Sequence, residues 1–304
     1  MTTGKLFTYV LKPEDHGKKY EDILRRRFCF SAKLIQRLKI GEKVWVDGKF
    51  TFLNVRGQAG QTLVANIEEE EIPTIRAEHL PLEILFEDSF FLAVNKPPGQ
   101  VVHPTRGYQT GTLANAVTGY WLEKGEPRIF RPVFRIDKNT SGLVLIAKSR
   151  YTHHQMNVLT ARNKIVKKYL GLVQGQFPRD EGQFDQSIRL KNGSFIQREV
   201  HEEGQSALTL YRTLKRYEHF TLMEFSLITG RTHQIRVHCQ HSGYPLLGDD
   251  LYGGDTTLIT RQALHCYYCS FPHPLNGEPV VIKAPLPKDM LTLLGPNPDQ
   301  ELPL

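Results

Sequence analysis

One stretch limits what this chain can become: Arg135-Ile136-Asp137-Lys138-Asn139-Thr140-Ser141-Gly142, running directly into Leu143-Val144-Leu145-Ile146-Ala147-Lys148. A carboxylate sits between two cations, a Thr-Ser-Gly turn follows, and then comes an apolar, β-branched run of the kind that makes a buried strand. A charged side chain placed just before a core strand stands at the rim of a rigid scaffold, where functional groups concentrate. Asp and Asn also stabilise ordinary turns through their own backbone, so the octapeptide alone leaves a structural role open. The rest of the chain has to decide.

At 304 residues, with 40% hydrophobic and 23% charged content, the chain has ample material for a core, and for two domains. Its net charge of +7 suits a polyanionic partner without requiring one. Cys29, Cys239, Cys266 and Cys269 lack the spacing of a disulfide framework, which fits a reducing compartment. No apolar run approaches the roughly 18 residues of a membrane span, and the N-terminus lacks the pattern of a signal peptide. A soluble, cytoplasmic protein with no membrane partner is expected.

Charge divides the chain. Residues 17–50 hold ten Lys or Arg against four acids, whereas residues 68–88 hold eight acids and one Arg, including Glu68-Glu69-Glu70-Glu71. Pro73 and Pro81 punctuate the acidic part, which reads as an interdomain connection. The expected division is a small domain over 1–72, a linker over 73–80, a large domain over 81–292 and a loose proline-rich tail over 293–304.

In the first domain, Tyr20 to Phe28 reads as a short helix. Ser31 N-caps a second helix that ends at Gly41, with Leu34, Ile35 and Leu38 as its apolar stripe. Lys33, Arg37 and Lys39 fall outside that stripe. A strand over residues 43–46, the Asp47-Gly48 turn and a closing strand after Gln58 complete the pattern. It resembles the S4 domain, an RNA-binding module. That resemblance implies that Lys33, Arg37 and Lys39 face phosphates, whose contacts supply affinity without reading sequence.

From residue 82 the periodicities predict two short strands, a helix from about Thr112 to Trp121, the strand after Gly142 and a helix over about 150–161. A strand through Tyr169, two more over 205–229, and a helix over 231–243 follow. Asn95-Lys96-Pro97-Pro98-Gly99-Gln100-Val101-Val102-His103-Pro104, the Arg135–Gly142 stretch, and Gly230-Arg231-Thr232-His233-Gln234-Ile235-Arg236-Val237-His238 carry a second resemblance. With Lys167-Lys168-Tyr169-Leu170, Gly243 through Asp249 and Ala263-Leu264-His265, they resemble the RluA-type pseudouridine synthases, in order, over about 82–290. One departure stands out: Phe134 occupies a place where the family commonly has His.

The resemblance implies an α+β fold, with a mainly antiparallel mixed sheet in the catalytic domain. It implies an isomerase that breaks the N1–C1′ bond of a uridine, turns the uracil and joins C5 to C1′. Such an isomerisation needs no cofactor and no metal. Asp137 is the implied carboxylate, nucleophile at C1′ or base on the ribose. Arg231 is its implied salt-bridging cation, and Tyr169 the aromatic against the base with an implied part in removing the C5 proton. Arg135 is implied to help displace the target nucleotide, and Ile235 to pack beside the uracil. The partner is RNA, with ribosomal RNA favoured by the S4-like module and transfer RNA the other candidate; the chain is expected to act as a monomer.

Cys266-Tyr267-Tyr268-Cys269 with His265 and His273 suggests zinc, but the second close pair of ligands is absent. His238 and His241 share a helix face without a third ligand. A two-carboxylate glycosidase lacks its second acid. The competing function is a non-catalytic RNA-binding or ribosome-assembly factor, for which Asp137, Tyr169 and Arg231 together would serve no purpose.

Overall fold

The computed structural model describes residues 6–67, 72–274 and 276–295. The run Glu68 to Glu71 and most of the expected tail lie outside the described residues.

The first unit comprises β1 (Leu6–Val10), α1 (Tyr20–Asp22) continued by a π turn (Ile23–Arg27), α2 (Ala32–Ile40), β2 (Val44–Val46), β3 (Lys49–Phe50) and β4 (Thr62–Asn66). Its strands form one antiparallel sheet in the order β1-β4-β2-β3. Ser31 Oγ accepts from Leu34 N at 3.2 Å, so the expected cap forms, and Leu34, Ile35 and Leu38 are buried. Asp47 and Gly48 both take positive φ, 49° and 78°, the turn whose twist matches a two-residue hairpin.

The larger unit begins with β5 (Ile84–Glu87) and β6 (Phe91–Lys96), then α3 (Leu113–Glu123), β7 (Ser141–Ala147), α4 (Arg150–Ala161) and β8 (Val166–Gln174). There follow β9 (Glu181–Asp185), β10 (Ile188–Leu190), β11 (Arg198–Val200), β12 (Leu208–Arg216) and β13 (Phe220–Leu227). Last come α5 (Gln234–His241), β14 (Leu264–Pro272), β15 (Pro279–Lys283) and α6 (Lys288–Leu294). A nine-stranded sheet runs β5-β6-β7-β14-β8-β13-β12-β9, with β15 paired to β14. All of its pairings are antiparallel except β7 with β14, so the sheet is mixed but mainly antiparallel, as expected.

Every residue of β7 is buried, which is why its sequence shows no alternation. The strand starts earlier than the apolar run suggests. The turn is Asp137 to Thr140, closed by Thr140 N donating to Asp137 O at 3.2 Å, and Ser141 and Gly142 already belong to β7. Gly142 has φ 109°, and a Cβ there would lie 2.2 Å from the Cys266 carbonyl oxygen of β14. Only glycine permits that approach. In β8 the residues alternate between two cores: Tyr169 and Val173 face one, Leu170 and Leu172 the other, under α6.

Two boundaries differ from the charge pattern. Residues 73–80 are strapped to α3: Asn115 Nδ2 donates to Arg76 O at 2.8 Å, and Glu78 N donates to Asn115 O at 3.1 Å. Gly119 lets that strap lie flat, since a Cβ would meet Glu78 O at 2.3 Å. Proline and acidity mark a chain with little regular structure, but not whether its backbone is satisfied by a neighbour. At the other end Leu294 is buried in the α6 core rather than part of a tail. The two units also share packing. Tyr151 of α4 sits 4.9 Å from the Phe30 ring, and Gln155 Nε2 donates to the Phe28 carbonyl.

Candidate active site

Strand order puts the ends of β7 and β8 and the start of α5 around one cleft of about 680 Å³. Asp137, Tyr169, Arg135, Arg231 and Ile235, distant in sequence, all line it. The volume is that of a small-ligand pocket.

The partner of Asp137 is not the expected one. Arg236 Nη1 lies 3.2 Å from Asp137 Oδ2, while Arg231 is exposed and donates its Nε to the Ser206 carbonyl at 3.0 Å. The reason is where the helix begins. Spacing predicts a helix from about residue 231, but α5 starts at Gln234, and Arg231 stays on the approach loop, its N–H accepted by Gln234 Oε1 at 2.9 Å. Arg236 is the third residue of α5, in the run from Gln234 to Cys239 that is buried throughout.

Arg236 is itself fixed. Asp249, fully buried, takes its Nε at 2.8 Å and its Nη2 at 2.7 Å, a fork-to-fork pair that leaves Nη1 for Asp137. Burial opposes the guanidinium charge, but the two carboxylates outweigh it and hold its pKa above the usual arginine value. The sequence carries a usable signal: an arginine on the apolar face of a helix needs a buried acid, and Asp249 follows within one turn-rich loop.

Tyr169 is 5% exposed, between Phe225 of β13 and Cys266 of β14. Burial, then its neighbours Cys266 and Asp137, push its phenol well above the ordinary value. Its ring forms part of the cleft wall. Ile235 is buried and Arg135 is exposed, and both line the cleft. Phe134, in place of histidine, packs its ring under the Lys167 ammonium, 5.1 Å from the centroid.

Below the Asp137 turn lies Lys96, fully buried, its Nζ donating to Pro97 O at 2.8 Å and Lys138 O at 2.9 Å. Burial lowers its pKa to about 7 despite the opposing pull of Asp137. The register Lys96↔Gly142 between β6 and β7 brings the amine there.

The remaining candidate residues do other work. Cys266 and Cys269 are core side chains, and among the described residues no group of three metal-ligating side chains converges. His238 is buried between Thr209 Oγ1 at 2.9 Å and the Gln186 carbonyl at 3.0 Å. In the first unit Lys33 is exposed, but Arg37 donates to the Ile67 carbonyl at 3.2 Å and Lys39 pairs with Glu21 at 2.6 Å. Arg37 thus ties α2 to the end of the sheet rather than standing free.

Residues 90–241 match the model of the RNA pseudouridylate synthase family, and the chain belongs to that family. It is 39% identical to an uncharacterized RNA pseudouridine synthase, YlyB, of Bacillus subtilis, over 85% of this chain and 86% of the relative. It is 33% identical to the ribosomal large subunit pseudouridine synthase D of Buchnera aphidicola, over 91% and 93%. The human RNA pseudouridylate synthase domain containing 1 shares the fold, with a TM-score of 0.57 at 23% identity, over 68% of this chain and 84% of that one. The chain is an isomerase acting on uridines of RNA, as the RluA-type resemblance implied.

Proposed function

We propose that this enzyme converts a uridine of large-subunit ribosomal RNA to pseudouridine, with Asp137 as the group that acts on the ribose. The observation that carries the role of Asp137 is its geometry. Arg236 holds Oδ2 from a position locked by Asp249, and among the described residues nothing bonds Oδ1. One carboxylate oxygen is thus anchored and the other faces the cleft, as attack at C1′ or removal of a ribose proton demands. The N1–C1′ bond breaks and the uracil, carrying the electron pair, stays against Tyr169 and Ile235 while it turns. C5 then bonds C1′ as the Asp137–C1′ bond breaks or the ribose proton returns from Asp137. The C5 proton passes to water, and N1 takes one up from water. Arg135, exposed at the mouth, occupies the vacated place in the RNA stack.

Ribosomal RNA is favoured by relatives named for the large ribosomal subunit and by the S4-like character of the first unit. We further propose that the enzyme works as a cytoplasmic monomer. Among the described residues no helix is long and apolar enough to cross a membrane. Incubation with ribosomal RNA fragments and with transfer RNA, followed by pseudouridine mapping, tests the substrate. Asp137→Asn should fold and bind RNA yet form no pseudouridine, because an amide is neither nucleophile nor base at neutral pH. Turnover by a clean Asp137→Asn preparation would remove Asp137 from the mechanism; modification of transfer RNA alone would remove the ribosomal assignment. Added chelator should leave the rate unchanged.

A further inference from the structure

His233 immediately precedes α5 with φ 58° and ψ 19°, a left-handed conformation uncommon outside glycine. That turn aims its half-buried ring back across the cleft. Nε2 lies 3.9 Å from Asp137 Oδ2, and Nδ1 lies 2.9 Å from the Tyr252 hydroxyl. Tyr252 sits in the Asp249 loop, with the Arg236 guanidinium 4.9 Å from its ring centre. The Tyr252 oxygen already accepts the backbone N–H of Arg198 at 2.9 Å. Its own proton has Nδ1 as acceptor, and among the described residues no other acceptor is hydrogen-bonded to it.

We propose that Tyr252 fixes His233 as the tautomer protonated on Nε2, and that His233 is thereby a second positioning residue for Asp137. The proposal rests on the assignment of Asp137 to the chemistry. Nδ1 receives the Tyr252 O–H, so the remaining ring proton sits on Nε2 and points at Oδ2. From the N-cap and the first turn of α5, His233 and Arg236 then address the same carboxylate oxygen, and together they fix the rotation of the carboxyl group so that Oδ1 meets the ribose. The 3.9 Å gap exceeds a hydrogen bond by about 1 Å, a distance that ligand binding commonly closes.

The charged surroundings agree with a neutral ring. Burial lowers the His233 pKa; Asp137 and Asp249 pull it up, and Arg236 and Arg198 push it down. Tyr252 is raised to about 12, chiefly by burial, so its hydroxyl keeps the proton it must donate.

Two measurements test this. Nitrogen-15 NMR of the wild-type histidines at neutral pH should show His233 protonated on Nε2, and Tyr252→Phe should lose that single tautomer. In steady-state assays Tyr252→Phe and His233→Leu should lower kcat by about 10- to 100-fold, the scale of a small misplacement, with KM little changed. His233→Gln, which keeps an N–H near the Nε2 position, should recover part of the loss. Protonation on Nδ1 in the wild type, or an unchanged kcat in His233→Leu, overturns the proposal. Activity in Asp137→Asn would instead remove the assignment of Asp137 while leaving the tautomer result standing.

Discussion

Arg25 and Arg26 of the first unit and Arg236 of the cleft are held in opposite ways. On α1 and its π turn, Arg25 and Arg26 are exposed and pair with Glu21 and Asp22 one helical turn away. Lys39 reaches Glu21 as well. Such surface pairs are worth about 0–1 kcal/mol and are screened by salt, so an RNA phosphate can displace the acid at little cost. Arg236 is buried with a fully buried Asp249, and its removal leaves a carboxylate with no water to turn to. The first arrangement leaves the cations free to exchange partners; the second holds one guanidinium in place.

The largest effect should come from Arg236→Ala. It should abolish pseudouridine formation and lower unfolding stability by about 3–5 kcal/mol, read in urea titrations, because Asp249 loses both of its hydrogen bonds to the guanidinium at once. Arg231→Ala makes the contrast. Arg231 is exposed and bonded to one carbonyl, so stability should change by less than about 1 kcal/mol and any loss should fall on KM. Equal stability costs in the two variants would erase the distinction between buried and exposed arginines.

The buried polar groups of the catalytic unit should also set its acid limit. His265 accepts from Ser141 Oγ through Nδ1 at 2.9 Å and donates through Nε2 to the Ala284 carbonyl at 3.3 Å. Burial lowers its pKa from 6.5 to about 4. Between those values the unfolded chain binds more protons than the folded one, so stability is full above pH 6.5 and is lost as pH falls toward 4. The loss should amount to about 3 kcal/mol. Urea midpoints measured across that window should drop in the wild type and flatten in His265→Asn; parallel curves would assign the acid sensitivity elsewhere.

The smallest effect belongs to the first unit. Lys33, Arg37 and Lys39 replaced together by Ala should raise KM and make log affinity for RNA less steep in log salt, by about 0.7–0.9 for each phosphate no longer neutralised, with kcat near normal. Lys33→Ala alone should carry much of the salt effect, since Arg37 is bonded to Ile67. Point variants are the right tool, because deleting the unit would uncover Tyr151 and Gln155 on α4. An unchanged salt slope would reduce α2 to a solvated face.

How far the sequence reached follows from what each signal is made of. Local signals were legible: the Ser31 cap, the Asp47-Gly48 turn, the buried β7 and the α2 stripe depend on neighbours within a few residues. The family and its mainly antiparallel mixed sheet were legible too, because several motifs rarely fall in one order by chance. What the sequence could not decide was the pairing inside the cleft. Two arginines, Arg231 and Arg236, stand in one motif, and choosing between them needed the first residue of α5, which no periodicity fixes. The strap over residues 73–80 was hidden for a related reason: its bonds run to Asn115 and Gly111, far along the chain. Tertiary structure alone brought Asp249, Tyr252, His233 and Lys96 around Asp137. A buried charge or hydroxyl chooses its partner by distance in space, after the hydrophobic core has set which strands and helices meet.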